Sequence, residues 1–413
     1  MRFLHTSDWQ LGLRRYFLDG EAQARYTGER FDAVARLGEL ARAEGCEFVV
    51  AAGDLFESNQ VDRRTVLRAL DAMAAVPVPL FLLPGNHDPL DAASVYRSPD
   101  FTAGLPASVR VLEGFEPVEV RPGVEVAGAP WPTRHPRGNL VAEAAAALPP
   151  LAGGVRVLVA HGRVDAGAPD PDEPALIRLD AAERALAEGR FHYLALGDRH
   201  SATRIADRVW YAGTPEATSF DEERPGRALV VDLEPGSDAT GAGSCRVEER
   251  RVGAWRFLAE ERRLGGEDDV LDLEGWLEAL DDKLRTVLRL SLVGQLPLHA
   301  RVRLDEVLER AGERFAGLEV WAAGSDLVVV PDALDRDELG LGGYARAAVE
   351  RLLAESRGDP RDAETAAARD ALALAYRLAR ARPERGRPEP GRPEPGRPEP
   401  GRPEPGRPPR GSA

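Results

Sequence analysis

The chain is poor in cysteine, has no long apolar run and lacks an excess of basic residues. Only Cys46 and Cys245 occur in its 413 residues, so no disulfide framework is expected, and a reducing cytoplasm is the simplest setting. No apolar run approaches the roughly 18 residues that a spanning helix needs, which points away from a membrane. The opening Met1-Arg2-Phe3-Leu4-His5 shows no apolar core of a signal peptide. Acidic side chains outnumber basic ones, 69 to 54, for a formal net charge of −15. That balance excludes a protein coated in basic surface for nucleic acid. It leaves room for a local groove, or for DNA held mainly by a partner. What is present is a hydrophobic fraction of 43%, enough for a sizeable core, and a length that calls for more than one domain.

The first ninety residues alternate strand and helix. Arg2 to Ser7, Phe48 to Ala52 and Val78 to Leu83 read as buried strands. Between them, Phe31, Val34, Leu37, Leu40 and Ala41, then Val66, Leu67, Leu70 and Met73, recur at helical spacing. This order predicts parallel pairing in a layered α/β domain. Further strands are expected over Val118 to Val126, Val155 to Ala160, Tyr193 to Leu196, Val209 to Ala212 and Ala228 to Leu233, with a loop over Gly236 to Gly243. A domain over residues 1–250 follows. A smaller α+β unit is expected over 254–356, with a strand at Leu284 to Val293, a helix around Leu304 to Leu308, a hairpin over Leu318 to Val330 and a helix at Tyr344 to Leu353. Residues 357–382 carry Ala368, Leu372, Ala375 and Leu378 on one helical face, either docked on its own domain or binding a partner. From 383 to 413 the chain carries four copies of Gly-Arg-Pro-Glu-Pro, over Gly386 to Pro405, which predicts an extended, disordered tail.

Five of these strands end in metal-capable side chains. Asp8 and Gln10 follow the first, Asp54 the second, and Asn86 and His87 the third. His161 closes a fourth, and Asp198 and His200 follow a fifth. One such group could be an ordinary turn. Five at the carboxyl ends of strands, where open α/β sheets place their chemistry, predict one convergent site.

The order of these groups resembles that of the calcineurin-like metallophosphoesterases. The stretches Phe3-Leu4-His5-Thr6-Ser7-Asp8-Trp9, Gly53-Asp54-Leu55-Phe56 and Tyr211-Ala212-Gly213-Thr214-Pro215 are similar to the SbcD-like DNA double-strand-break repair nucleases within that superfamily. The resemblance implies a β-sandwich flanked by helices, a capping domain after residue 254, and two divalent metal ions bridged by Asp54. Asp8, Gln10 and His200 would complete one metal site, and Asn86, His161 and Asp198 the other. His87 matches the family's catalytic histidine, which protonates the leaving oxygen. Asp88 either orients it or serves the turn. Members usually carry His where this chain has Gln10 and Asp198, and often where it has Glu57. The site is therefore either retuned toward oxygen ligands, favouring Mn²⁺ or Mg²⁺, or weakened. The resemblance further implies exonuclease and endonuclease action on DNA ends, a homodimer, and an SbcC-like, SMC-type ATPase partner. The competing expectations are a phosphodiesterase or phosphatase acting on nucleotides or phosphoproteins, and a weakened scaffold of a repair complex.

Overall fold

The computed structural model describes residues 1–151, 153–165, 175–236, 242–330 and 343–355, with a few positions between 364 and 371. In chain order its elements begin β1 (Arg2–Thr6), α1 (Gly20–Ala43), β2 (Val49–Ala52), α2 (Arg63–Ala74), β3 (Leu80–Leu83), α3 (Pro99–Gly104) and β4 (Val109–Val111). Next come β5 (Val118–Arg121), β6 (Val124–Ala129), α4 (Leu140–Ala147), β7 (Val155–His161), α5 (Leu179–Ala187) and β8 (Tyr193–Gly197). They continue with β9 (Thr203–Ala206), β10 (Val209–Tyr211), β11 (Arg227–Pro235), β12 (Ala242–Arg251), β13 (Arg256–Leu264) and α6 (Glu267–Ala279). The remainder are β14 (Thr286–Pro297), α7 (Leu298–Gly312), β15 (Gly317–Val320), β16 (Asp326–Val330) and α8 (Gly343–Glu355). Contacts divide the chain into residues 1–294 with 299–327, and residues 295–298 with 328–413.

Two six-stranded sheets face each other in the first unit, ordered β12-β11-β1-β2-β3-β4 and β5-β6-β7-β8-β10-β9. β1, β2 and β3 run parallel, as the alternation of strand and helix requires. Phe3, Phe48, Val50, Phe81 and Leu83 from one sheet and Val126, Val157, Val159 and Tyr193 from the other fill the space between them. The outer faces are covered as well. Val34, Leu37, Leu70 and Met73 of α1 and α2 pack on one sheet, and Val141, Ala144 and Ala182 of α4 and α5 on the other. The central strands are thus buried on both faces, which is why they read as continuous apolar runs. Helices α1 and α2 start at aspartates: Asp19 accepts from Ala22 N at 2.7 Å and Asp62 from Thr65 N at 2.7 Å.

Several expectations shift. Val118 to Val126 is a hairpin of β5 and β6 rather than one strand. Leu67, read onto the core face of its helix, is 36% exposed. Most of the loop expected at Gly236 to Gly243 lies outside the described residues, and β12 already begins at Ala242. After residue 254, β13 and α6 had left no clear trace in the sequence. The strands β13, β14 and β15 are parallel, so the first half of the expected hairpin pairs with β14. This sheet reaches the main body through Tyr26, Leu18, Trp255, Val287 and Ala316, which form one cluster. The expected helix over 357–382 and the repeat tail fall almost wholly outside the described residues.

Candidate active site

The site forms where the carboxyl ends of the two sheets meet. β1, β2 and β3 deliver Asp8, Gln10, Asp54, Asn86 and His87, and β7 and β8 deliver His161, Asp198 and His200. The loops are held in conformations that side chains rarely adopt. Asp8, Gln10, Asp54 and Asp198 all have positive φ, at 53°, 44°, 54° and 102°. Such strain persists only where surrounding bonds enforce it. Here Asp8 N donates to Gly53 O at 3.0 Å and Gln10 N to Asp54 O at 2.9 Å, lacing the first two loops together. The sheets also approach too closely for a side chain at Gly197, where a Cβ would collide with the Ala52 carbonyl oxygen.

His161 is the centre of this arrangement. Its ring is buried, and Nδ1 lies 2.9 Å from Ala52 O. A proton on Nδ1 donated to that carbonyl directs the Nε2 lone pair into the site. Nε2 faces Asn86 Oδ1 at 2.7 Å, Asp54 Oδ2 at 3.3 Å and Asp198 Oδ1 at 3.8 Å. Burial alone would lower the His161 pKa, but the Asp54, Asp8 and Asp198 carboxylates raise it well above the ordinary value. Asp8, Asp54 and His161 each place a ligand atom within 4.8 Å of the others. Burial pushes the Asp8 carboxyl up to about 6. Burial acts the same way on Asp54, yet the neighbouring His161 and His87 outweigh it and hold that carboxyl below its usual value. A buried nitrogen encircled by oxygens, with carboxylates crowded beside it, is the donor set a hard divalent cation takes.

His200 sits across the site, half-buried. Its Nδ1 lies 2.8 Å from Thr218 Oγ1 and 2.9 Å from Glu222 Oε1, and its Nε2 lies 3.1 Å from the Gln10 amide nitrogen. Burial lowers its pKa, but the Glu222 hydrogen bond and the Asp8 charge outweigh this and raise it. Thr218 and Glu222 escaped the sequence reading, since they lie beyond the last strand-end group in a stretch without periodicity.

His87 is partly exposed. Its main-chain N donates to Asp54 Oδ1 at 2.9 Å, its Nδ1 lies 2.9 Å from Glu57 O, and its Nε2 is 3.9 Å from Asp54 Oδ2. Asp88 turns away from that ring. It is fully buried and accepts from Leu55 N, Phe56 N, Gly85 N and Tyr96 Oη at 2.9, 3.0, 2.7 and 2.6 Å. Burial raises its pKa to about 6. Asp88 therefore ties the Asp54 loop to the His87 loop, and its influence on His87 runs through the backbone.

Trp9, His5 and His192 are structural. Trp9 is buried and donates from Nε1 to Thr6 Oγ1 at 3.1 Å. His5 lies between Tyr193 Oη and Leu196 O, and burial pushes its pKa down to about 3. His192 accepts from Arg156 N at 2.9 Å.

Residues 1–220 match the calcineurin-like phosphoesterase family. The chain is similar to the SbcD component of the SbcCD nuclease from Bacillus subtilis (strain 168), 25% identical over 274 residues, which are 58% of this chain and 68% of that protein. It is also similar to the DNA double-strand break repair protein Mre11 of Methanococcus maripaludis, 33% identical over 92 residues, 21% of this chain and 23% of that one. The Mre11 protein of Sulfurisphaera tokodaii is 30% identical over 119 residues, 28% of this chain and 27% of that one.

Proposed function

Because the chain belongs to the calcineurin-like phosphoesterase family, we propose that it is a two-metal phosphodiesterase that cuts DNA ends as an exonuclease and endonuclease. It acts as a homodimer with an SMC-type ATPase partner that supplies much of the DNA binding. Residues 1–250 carry the chemistry, and residues 254–356 form the capping domain of the SbcD-like branch. The observation that carries the reading is the convergence of five strand-end groups around His161 Nε2 and Asp54. The names of the similar proteins favour DNA over nucleotides or phosphoproteins.

In this reading Asp54, Asn86, His161 and Asp198 would hold one divalent cation, Mn²⁺ or Mg²⁺, and Asp8, Gln10 and His200, again with Asp54, would hold the other. When bound, such a pair stabilises the attacking and leaving oxygens of a phosphodiester and makes water ionise near neutral pH. The chain's own contribution is orientation and proton transfer. With Nδ1 donating to the Glu57 carbonyl, His87 presents Nε2 to the site, 3.9 Å from Asp54 Oδ2, where its protonated form can give a proton to the leaving oxygen. A groove of about 920 Å³ begins beside the site at Gly12 and Glu57 and is lined by Arg14, Arg64 and Arg68. Its three guanidinium groups outnumber its two carboxylates, Glu57 and Asp62, a local positive excess within an acidic protein that suits a phosphate backbone.

The test is a cleavage assay on linear and circular DNA with Mn²⁺, with Mg²⁺ and without metal. Metal-dependent degradation from the ends of linear DNA is expected. Hydrolysis of nucleotides or phosphopeptides with no DNA cleavage would replace the reading with its phosphatase rival, and no hydrolysis at all would favour a scaffold.

A further inference from the structure

Arg30 lies on the core face of α1, between Tyr26 and Val34, and is only 2% exposed. Arginine is almost never fully buried unless it is paired. Among the described residues no carboxylate forms an ion pair with Arg30, and its donors go to carbonyls and one hydroxyl. Nε donates to Gln10 O at 3.3 Å and Nη2 to Trp9 O, while Nη1 donates to Tyr26 Oη at 3.1 Å and Glu216 O at 3.2 Å. We propose that Arg30 is a positioning residue for the candidate metal site: its fork holds the Trp9 and Gln10 carbonyls in one direction and thereby fixes how Asp8 and Gln10 enter the site. This rests on the metal-binding part of the reading above.

In an extended strand successive carbonyls point to opposite sides. After β1, two in a row turn to a single guanidinium, and Gln10 takes its φ of 44° at that point, two residues after Asp8 at 53°. Left-handed backbone at residues other than glycine persists only where neighbours enforce it. The amides of the loop are held by main chain, since Asp8, Gln10 and Leu11 donate to the Gly53, Asp54 and Leu55 carbonyls. Its carbonyls are held by side chains. Thr214 Oγ1 lies 3.0 Å from Asp8 O, and Arg30 takes the next two. A planar fork that reaches two carbonyls at once is what arginine offers and lysine does not. The fork is anchored at its other end as well. Tyr26 Oη donates to Ala217 O at 2.8 Å, and the Glu216 carboxylate accepts from Ala254 N at 3.0 Å and Trp255 N at 2.7 Å, where the chain passes from β12 to β13. Charge cannot be the benefit of Arg30 to a cation site, because a positive charge repels the ion. What it contributes to metal binding is geometry.

The experiment is a calorimetric titration of the full chain, stripped of metal by chelator, with Mn²⁺ alone. Melting temperature and DNA cleavage are measured on the same samples. Arg30→Lys keeps the charge and gives up the fork. Arg36→Met is the comparison, since Arg36 lies on the same helix but bonds Glu29, Glu216 and the Val252 carbonyl. Both substitutions should lower the melting temperature, but only Arg30→Lys should weaken Mn²⁺ binding by the folded protein, by about tenfold. Wild-type affinity in Arg30→Lys overturns the proposal, as does an equal loss in Arg36→Met, which would mark general loosening of the fold. Should Arg30→Lys not fold, Tyr26→Phe removes one anchor of the guanidinium and should weaken Mn²⁺ binding about threefold, with wild-type affinity there overturning the proposal. Selective loss in Arg30→Lys, from a wild type that binds Mn²⁺ and cuts no DNA, sinks the nuclease reading and leaves the positioning. Cleavage by a wild type whose Mn²⁺ affinity survives Arg30→Lys sinks the positioning alone. A wild type that takes up no Mn²⁺ overturns both.

Discussion

The two imidazoles of the site are held in contrasting ways. His161 closes a core strand, is buried, and hangs from the Ala52 carbonyl of the facing sheet. His200 follows a strand, is half-buried, and hangs from the side chains of Thr218 and Glu222. One half of the site is thus built on main chain, the other on rotatable groups. A ligand fixed by backbone keeps its direction whatever the neighbouring residues do. A ring fixed by side chains can be retuned by single substitutions; the two departures from the family's usual histidines, Gln10 and Asp198, fall one beside each imidazole in the proposed assignment.

The largest effect should come from the residue both halves share. Asp54→Asn should reduce activity to background and disturb both cations, because Asp54 Oδ2 faces His161 while its Oδ1 holds the His87 loop. Full activity in that variant, read together with metal content by mass spectrometry, would erase the distinction between the halves. His87→Ala comes next. It should keep both cations and lose about 10²- to 10⁴-fold in turnover, as a general acid does. Missing metal in that variant would make His87 a ligand. Glu222→Gln probes one half alone. It weakens the partner of His200 Nδ1, so affinity at that position should fall about 10- to 100-fold, with the His161 position unchanged. Equal losses at both positions in a Mn²⁺ titration would mean that the halves are one rigid unit.

The smallest effect is one of pH. Burial pushes the Asp8 carboxyl up to about 6, above the value of an unfolded aspartate, and the neighbouring carboxylates hold His161 above its ordinary value. Stability contributed by such raised groups is present at low pH and is lost as pH rises through the folded values. A cation competes with these protons for the same atoms. The rise in melting temperature on adding Mn²⁺ should therefore be small below about pH 5 and grow through pH 6 toward neutrality. A shift independent of pH would mean that Asp8 and His161 do not meet the ion.

The contrast also explains what the sequence could tell. The strand ends were legible because β1, β2, β3, β7 and β8 are buried on both faces, and each apolar run stops at the residue that turns into the site. That the runs belong to two facing sheets was not legible, since nothing local separates β3 from β7. The edge strand β12 was missed because Ser244 to Arg251 is largely polar and half-exposed. Thr218 and Glu222 were missed because they act on His200 through a loop with no period to read. Asp88 was legible as a carboxylate near His87 but not as a clamp, because only the folded chain brings Leu55, Phe56 and Tyr96 to it.

The close approach at Gly197 has a consequence for anyone mapping this protein by mutation. The added methyl group of Gly197→Ala would meet the Ala52 carbonyl oxygen, the Ser7 side chain and the His161 ring. In a saturation scan scored by function, position 197 should tolerate as little as Asp54 does, although glycine contributes no side chain to the chemistry. Intolerance there would mark crowding rather than catalysis. A scan scored by abundance alongside function would tell them apart, since crowding should deplete the folded protein while a lost carboxylate at Asp54 should leave more of it intact.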